Sequence, residues 1–402
     1  MSKLEELLKR ECPDGVECKA LSELGNFYAG LNGKNKDDFK DGNAKYITYM
    51  NVFSNLSVNT NINDTVQIGE KEKQNIVKYG DVIFTGSSET IEECGMSSVV
   101  TNELNEKLYL NSFCFGFRFN EPEIMLPDFS KYLFRSTELR KKIIKTASGV
   151  TRFNVSKKKM EKILIPIPPI EVQKEIVRIL DTFTKYQDLL NRELELRKKQ
   201  YEYYRDKLLT FAEGTQPCGD KVEWKNIDEI VNILDNLRKP VSKDKRTKGN
   251  YPYYGANGIQ DYVDNYIFDG TFILMGEDGS VINKDNSPVL NWASGKIWVN
   301  NHAHVLFNEN INILRFVFYY LQTIDVSSIV RGTPPKINQQ NLRSIKIPVP
   351  PLEEQERIVN ILDKFDALCN DITKGLPAEI EMRKKQYEYY RDKLLTFKEK
   401  KK

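Results

Sequence analysis

Only two histidines occur in the 402 residues, and they stand together as His302-Ala-His304. An imidazole metal centre would need further His or Cys close by, and neither is there. Serine–histidine catalysis has the same two candidates, and no serine carries a nucleophile signature. The chain has no G-x-G-x-x-G, no Walker A loop, no H-E-x-x-H and no Asn/Asp-Pro-Pro-aromatic motif. Gly255-Ala-Asn-Gly258 and Gly276-Glu-Asp-Gly279 read as turns, not phosphate cradles. These absences argue against an enzyme, and no metal or cofactor is expected in the chain itself. The six cysteines (12, 18, 94, 114, 218 and 369) form no C-x-x-C and no zinc spacing, so buried thiols in a reducing compartment are expected. Met1–Arg10 is charged and lacks the apolar core of a signal sequence, and the most apolar stretch, Ile311–Leu321, is interrupted by Arg315 and too short to span a bilayer. A cytoplasmic protein without membrane contact is the expectation. Net charge is only +3, so the overall balance does not announce nucleic acid. A hydrophobic content of 40% beside 29% charged residues describes a globular protein of two or three domains.

What the sequence does have is a repeat. Arg197-Lys-Lys-Gln-Tyr-Glu-Tyr-Tyr-Arg-Asp-Lys-Leu-Leu-Thr-Phe211 returns unchanged as Arg383–Phe397. Upstream, Ile163–Pro169 is echoed by Ile345–Pro351, and Ile176–Phe183 by Ile358–Phe365. A duplication this long means two copies of one architectural unit. After Pro168-Pro169 the apolar residues follow a heptad: Ile176, Phe183, Leu190, Arg197, Tyr204 and Phe211 in one column, Leu180, Gln187, Leu194, Tyr201 and Leu208 in the other. No Pro or Gly interrupts residues 170–211, so the spacing predicts one helix of about 60 Å at ~1.5 Å per residue. The second copy keeps the seam through Ile358, Leu362, Phe365 and Cys369, and later Tyr387, Tyr390 and Leu394. Between them lies Gly375-Leu-Pro377, where the offset between copies changes from 182 to 186 residues. Four extra residues are a stutter, and Pro removes a backbone donor, so a break near 375–377 is expected. The apolar stripes need partners. Antiparallel pairing of the two copies within one chain is expected, with pairing to another subunit as the alternative.

The duplication also includes the heads of the globular parts. Asp14-Gly-Val-Glu-Cys-Lys matches Asp220-Lys-Val-Glu-Trp-Lys at an offset of 206 residues. The expected layout is an N-terminal helix (1–11), a first globular domain (12–169), a helical repeat (170–211), a second globular domain (212–351) and a second helical repeat (352–402). The middles of the two domains diverge almost completely. Gly80–Thr85 and Asp269–Gly276 each read as a turn followed by a buried strand, and short β-rich runs fill the rest. The fold class is therefore α+β: two globular domains joined by two long repeated helices that pair as an antiparallel coiled coil with pseudo-two-fold symmetry. Identical scaffolding around different interiors suits two different readers.

Polar, basic and aromatic loop residues recur at comparable places in both halves. In the first they are Lys36, Lys40, Lys45, Tyr46, Tyr49 and Asn51, then Thr151, Arg152, Lys157 and Lys158. In the second they are Arg246, Lys248, Tyr253, Tyr254 and Asn257, then Arg331, Thr333 and Lys336. Basic runs at 156–162, 239–248 and 398–402 accompany them. Arg and Lys can bond guanine edges, Asn adenine edges, and amines and hydroxyls phosphate, so these are the candidate DNA contacts. Taken singly, each fits an exposed or packed side chain better than a DNA contact, and it is their recurrence in both halves that raises the DNA reading.

Two divergent domains, each closed by a Pro-Pro-x-x-x-Gln passage into a long repeated helix, resemble the specificity (HsdS) subunit of type I restriction–modification systems. The passages are Ile165-Pro-Ile-Pro-Pro-Ile-Glu-Val-Gln173 and Ile347-Pro-Val-Pro-Pro-Leu-Glu-Glu-Gln355. Tyr251–Ile259, Ile273–Ser280 and His302–Leu306 are similar to segments of a common kind of target-recognition domain. The resemblance implies that each domain binds one half of a split asymmetric site on double-stranded DNA, with the helices fixing the gap. It implies partners as well: two methyltransferase (HsdM) subunits docked on the helices, and motor–nuclease (HsdR) subunits joined through them. S-adenosylmethionine, ATP and Mg would then belong to the partners. A related system with methyltransferase and nuclease fused in one partner shares this logic, and a coiled-coil assembly protein without DNA is the reading from another class. Gly375-Leu-Pro377 is a departure from a continuous second helix.

Overall fold

A computed structural model describes residues 3–211 and 222–400. Cys218, Asp220-Lys221 at the expected head of the second domain, and Lys401-Lys402 of the last basic run lie outside the described residues. Two compact units are present: Met1–Leu189 together with Ile380–Lys402, and Leu190–Glu379.

The same clasp closes each unit. In the first, Glu17–Ala20 pairs antiparallel with Leu164–Ile167, placing Cys18 opposite Pro166. In the second, Glu223–Asn226 pairs with Lys346–Val349, placing Trp224 opposite Pro348. Proline donates no ladder bond and is tolerated because both strands are sheet edges. The Pro-Pro-x-x-x-Gln passage follows directly. Gln173 Nε2 donates to Pro168 O at 2.8 Å, and Gln355 Nε2 to Pro350 O at 2.8 Å. Each glutamine is buried in the first turn of its helix and satisfies a carbonyl left without a partner by the turn into it. Gln173 also accepts from Leu126 N at 2.8 Å and donates to Ile124 O at 3.0 Å, tying the helix to its domain. A second shared tie lies two turns on. Tyr132 Oη donates to Asp181 at 2.6 Å, and Tyr319 Oη to Asp363 at 2.5 Å, which gives the repeated Ile-Leu-Asp its purpose.

Inside these frames the units differ. The first holds a four-stranded antiparallel sheet in the order Gly25–Ala29, Cys114–Phe119, Val82–Thr85, Ser97–Val99. A three-stranded sheet built on Ala44–Ile47 lies in the same unit, with Leu108–Leu110 running parallel to it. Phe27, Phe84, Phe115 and Phe117 form the aromatic centre of the four-stranded sheet. Asp81, with no exposed surface, accepts from Arg118 Nε (2.8 Å), Arg118 Nη2 (2.6 Å), Tyr28 Oη (2.7 Å) and Lys78 N (2.8 Å). Burial, then the Asp81 charge, pushes the Tyr28 phenol far above its ordinary range. The second unit has one six-stranded sheet whose long strands are Phe268–Gly276 and Leu290–Val299. The turn expected at Asp269-Gly270 is absent: both residues lie within the first of these strands, opposite Lys296 and Gly295.

Ile170–Leu209 is one helix of 40 residues. The second copy is broken into Leu352–Asn370 and Leu376–Leu394. Asp371 Oδ1 accepts from Thr373 N (2.7 Å) and Lys374 N (3.2 Å), an Asx turn that competes with further helix. Gly375 then passes so close to the preceding turn that a Cβ would lie 2.5 Å from Ala367 O. Pro377 falls in the first turn of the new helix, where no N–H donor is needed.

The helices pair head against tail. In the first unit Phe183 stacks on Tyr390 at 5.4 Å and the Arg383 guanidinium covers Tyr186 at 5.3 Å, an antiparallel alignment. In the second, Tyr204 stacks on Phe365 at 5.7 Å. Each identical segment therefore packs on the head of the other helix. Ile176, Leu180, Leu190, Tyr201, Ile358, Leu362 and Tyr387 are buried as the heptad requires. Its end needs correction: Tyr204 and Tyr390 are exposed although they stack on Phe365 and Phe183, and Leu209 and Leu395 are buried while Leu208 and Leu394 are only half-buried. An α-helix advances by 3.6 residues per turn, so a strict seven-residue column drifts and the seam passes to the next residue.

Glu175, 3% exposed in its side chain, accepts from Arg178 at 2.7 Å and pairs with Lys3 at 3.0 Å. The Arg178 hydrogen bond is the main reason its carboxyl lies at about 2. A carboxyl depressed in the folded state stabilises above its unfolded value of about 4.3, and that contribution is lost as pH falls toward 2. Melting curves of Glu175→Gln are expected to change less than the parent between pH 5 and 2; equal acid sensitivity would remove Glu175 from the account.

Candidate nucleic-acid interface

The candidate contacts divide into those the folds use internally and those they present. Asn51 is buried, and its amide donates to Asn59 O at 2.8 Å while its Oδ1 accepts from Asn59 N at 3.0 Å. Tyr253 is 1% exposed and its hydroxyl exchanges bonds with Val241 N and O at 3.0 and 3.2 Å. Arg246 lies over the Tyr253 ring at 4.0 Å, bonds Val241 O and pairs with Asp261 at 3.3 Å. Tyr46 packs edge-on against Phe39 at 5.0 Å. Expected from composition to contact DNA, these residues serve loop closure and packing instead, and their polar or aromatic character suits burial. Tyr254, half-buried in the strand Lys248–Gly255, packs against a cluster of the second unit.

Others face outward. Lys36, Thr151, Arg152, Lys158, Lys248, Asn257, Arg331 and Thr333 are exposed. Lys40 pairs with Asp37 at 2.8 Å, Lys45 with Glu106 at 2.7 Å and Lys336 with Glu277 at 3.1 Å, so their charge is partly compensated. Asn257 tips the turn joining Lys248–Gly255 to Gly258–Val263, a hairpin at one edge of the second sheet. Arg331 and Lys336 exchange backbone bonds at 2.9 and 2.8 Å, making a short projecting loop with Gly332 at φ +82° and Thr333 at its tip.

In the first unit, residues a hundred apart in sequence converge. Tyr49, Met50 and Phe53 from one helix, Ser87, Ser88, Glu89 and Glu93, Phe113, and Thr151-Arg152 line one cleft. Tyr49 Oη donates to Ser87 O at 2.9 Å, Arg152 Nε donates to Ser87 Oγ at 3.1 Å, and the Arg152 guanidinium covers Phe113 at 5.2 Å. Lys157 Nζ lies 5.5 Å from the centre of the Phe115 ring. Met50, Phe53 and Phe113 went unnoticed in the sequence, where nothing sets them apart from core residues.

The histidine pair separates in the structure. His302 is exposed and bonds Asp278; His304 is fully buried, with Nδ1 2.6 Å from Asp235 and Nε2 2.8 Å from Ile337 O. Asp235, Glu277 and His304 bring ligand atoms within 4.8 Å of one another. Arg238, 2.5 Å from Glu277 and 3.5 Å from Asp235, and Lys336 already neutralise the two carboxylates, which makes this an ion-pair network beneath the 331–336 loop. The bonds to His304 and Val305 N hold the Asp235 carboxyl below its ordinary value, although burial alone would raise it.

The two copies of the repeated segment present the same outward face. Tyr203 and Tyr389 are 60% and 61% exposed, each edge-on to its neighbouring tyrosine at 5.3 Å. Lys207 and Lys393 cover them at 5.8 and 5.9 Å. Among the described residues no helix is long and apolar enough to cross a membrane.

Comparison with known proteins gives the context. The family model described as the type I restriction modification DNA specificity domain matches twice, over residues 13–197 and 220–382. A Haemophilus influenzae protein named as a type I restriction enzyme specificity subunit is 44% identical over 186 residues, 45% of this chain and 48% of the relative. The Escherichia coli EcoR124I/EcoR124II specificity subunit is 36% identical over 270 residues, 60% of this chain and 65% of the relative. The alignments thus span about half and just under two thirds of those relatives. Among solved structures, the S subunit from M. genitalium is similar over 94% of this chain and 96% of that one, with TM-score 0.53 and 16% identity. The HsdS subunit from Thermoanaerobacter tengcongensis is similar over 95% and 96%, with TM-score 0.51 and 18% identity. At such identities these likenesses speak to the fold, and they agree with the α+β architecture. With the specificity domain matched twice and framed by two copies of one clasp and helix, the chain belongs to the family of type I restriction–modification specificity subunits.

Proposed function

We propose that this chain is the DNA-reading component of a type I restriction–modification complex, each unit binding one half of a split, asymmetric site on double-stranded DNA. The observation that carries this reading is the pairing of identical frames with unlike interiors: the same clasp, glutamine tie and Tyr–Asp tie surround different sheets and different outward loops. In the first unit Arg152 lines the cleft and Lys158 is exposed, and in the second Lys248, Asn257 and the 331–336 loop are exposed. Cations of this kind meet phosphate; the cleft and the hairpin supply base contacts. The long helices set the gap between half-sites. The identical outward faces at Tyr203 and Tyr389 support two copies of one partner, the methyltransferase subunit, with motor–nuclease subunits recruited through it. In this reading the chain catalyses nothing itself, and S-adenosylmethionine, ATP and Mg are held by the partners.

The test is to assemble the chain with its cognate methyltransferase and map modified adenines on genomic DNA. A two-part motif with a fixed gap is expected, and replacing residues 222–349 should change one half of it only. On a duplex carrying the motif, affinity should fall steeply with salt, and Lys158→Ala or Arg331→Ala should each lower the log–log salt slope by about 1. An intact complex that neither modifies nor shifts DNA would support an assembly protein instead.

A further inference from the structure

We propose that the cleft of the first unit is a receptor for one unstacked nucleobase carrying an exocyclic amine. The inference rests on the DNA-reading function above and adds where, and with what chemistry, that unit holds a base outside the duplex stack. Three observations converge. The cleft offers ring surface at its solvent boundary: Tyr49 is stacked on Phe53 with planes 16° apart, and Phe113 is 54% exposed. A large apolar ring left open amid polar residues is what sequence-tolerant base stacking uses.

The ring surface is also held in place. Both Tyr49 and Arg152 are anchored on Ser87, and the Arg152 guanidinium lies 5.2 Å from the centre of the Phe113 ring while remaining exposed, so its charge stays available for the phosphate of the inserted nucleotide. The third observation is the sign of the polar lining. Glu89 and Glu93 place carboxylates in the cleft that Arg152 also lines, and Glu93 is fixed by Thr90 Oγ1 at 2.7 Å. An ionised carboxylate only accepts hydrogen bonds. It therefore favours guanine, adenine or cytosine, whose Watson–Crick edges carry an amine, over thymine, whose edge is a single N–H between two carbonyl oxygens.

The experiment uses the full chain and hexathymidine, unmodified or with one central guanine, adenine or cytosine. Substituted strands are expected to bind about 10-fold more tightly than hexathymidine. Phe113→Ala, a change at an exposed ring, should weaken every strand about 10-fold with the circular dichroism spectrum unchanged. Glu89→Gln with Glu93→Gln should abolish discrimination against thymine without lowering hexathymidine affinity. Equal binding of all four strands, or indifference to Phe113→Ala, overturns the proposal. If salt-dependent duplex binding persists in that case, the DNA-reading function stands and only the cleft is misassigned; if duplex binding is also missing, both fail.

Discussion

Asp81→Ala is expected to lower the stability of the first unit by about 3 kcal/mol, near the lower end of what breaking a buried ion pair costs. The carboxylate has no exposed surface and four donors converge on it, from Arg118, Tyr28 and Lys78. Removing it leaves the Tyr28 hydroxyl and the Lys78 N–H without a partner in a dry site, at about 1–3 kcal/mol for each orphan. Arg118 keeps 36% of its side chain exposed and can turn partly to water, which discounts the charge contribution. For a unit of this size the transition should move down by about 6–12 °C. Tyr28→Phe, which removes one of the four donors and leaves the ion pair, should cost about 1 kcal/mol. Calorimetry of the full chain checks both, and a shift below about 2 °C for Asp81→Ala would mean that water replaces the carboxylate.

Changing either outward tyrosine should halve the stoichiometry of the assembled complex. Tyr203 and Tyr389 lie at equivalent points of identical segments, equally exposed and equally covered by a lysine. Packing of the seam accounts for buried members such as Tyr201 and Tyr387, but it places no demand on the outward residues. A partner that binds both copies, as proposed above, would. Aromatic anchors at interfaces contribute about 2 kcal/mol or more, so Tyr203→Asp should weaken one site about 30-fold and leave the other intact. Sedimentation of the complex with its methyltransferase should give two partner copies for the parent, one for each single variant and none for the double. Two copies bound to the double variant would place docking elsewhere.

Much of this frame was legible before any coordinates. The offsets of 206 and 182 residues correspond to the two clasps in the same register, because strand pairing repeats wherever its sequence does. The interruption at Gly375-Leu-Pro377 was visible for a similar reason: Gly and Pro act on the backbone locally, without reference to tertiary context. What stayed hidden depends on contacts between distant residues. Nothing near Asp81 in sequence marks it as anything but a turn residue after Gly80; its partner Arg118 comes from another strand. Asn51 and Tyr253 have the composition of DNA readers because the groups that bond a base also bond a loop backbone. The cleft draws on four separate stretches, and no periodicity links Phe113 to Arg152.

The backbone of Val16 bonds Lys398 O and Lys400 N at 2.8 and 2.9 Å, and Leu4 and Leu7 share a core with Leu395. The first unit is therefore assembled from two segments far apart in the chain, while the second is contiguous. At about 5–20 residues per second, roughly 10–40 s separate translation of residue 189 from that of residue 380. Through that interval the core of the first unit lacks Tyr387 and Leu395, and the second unit is free to fold first. A chain cut short after its second unit would carry a first unit with an incomplete apolar core, a natural target for chaperones and proteases.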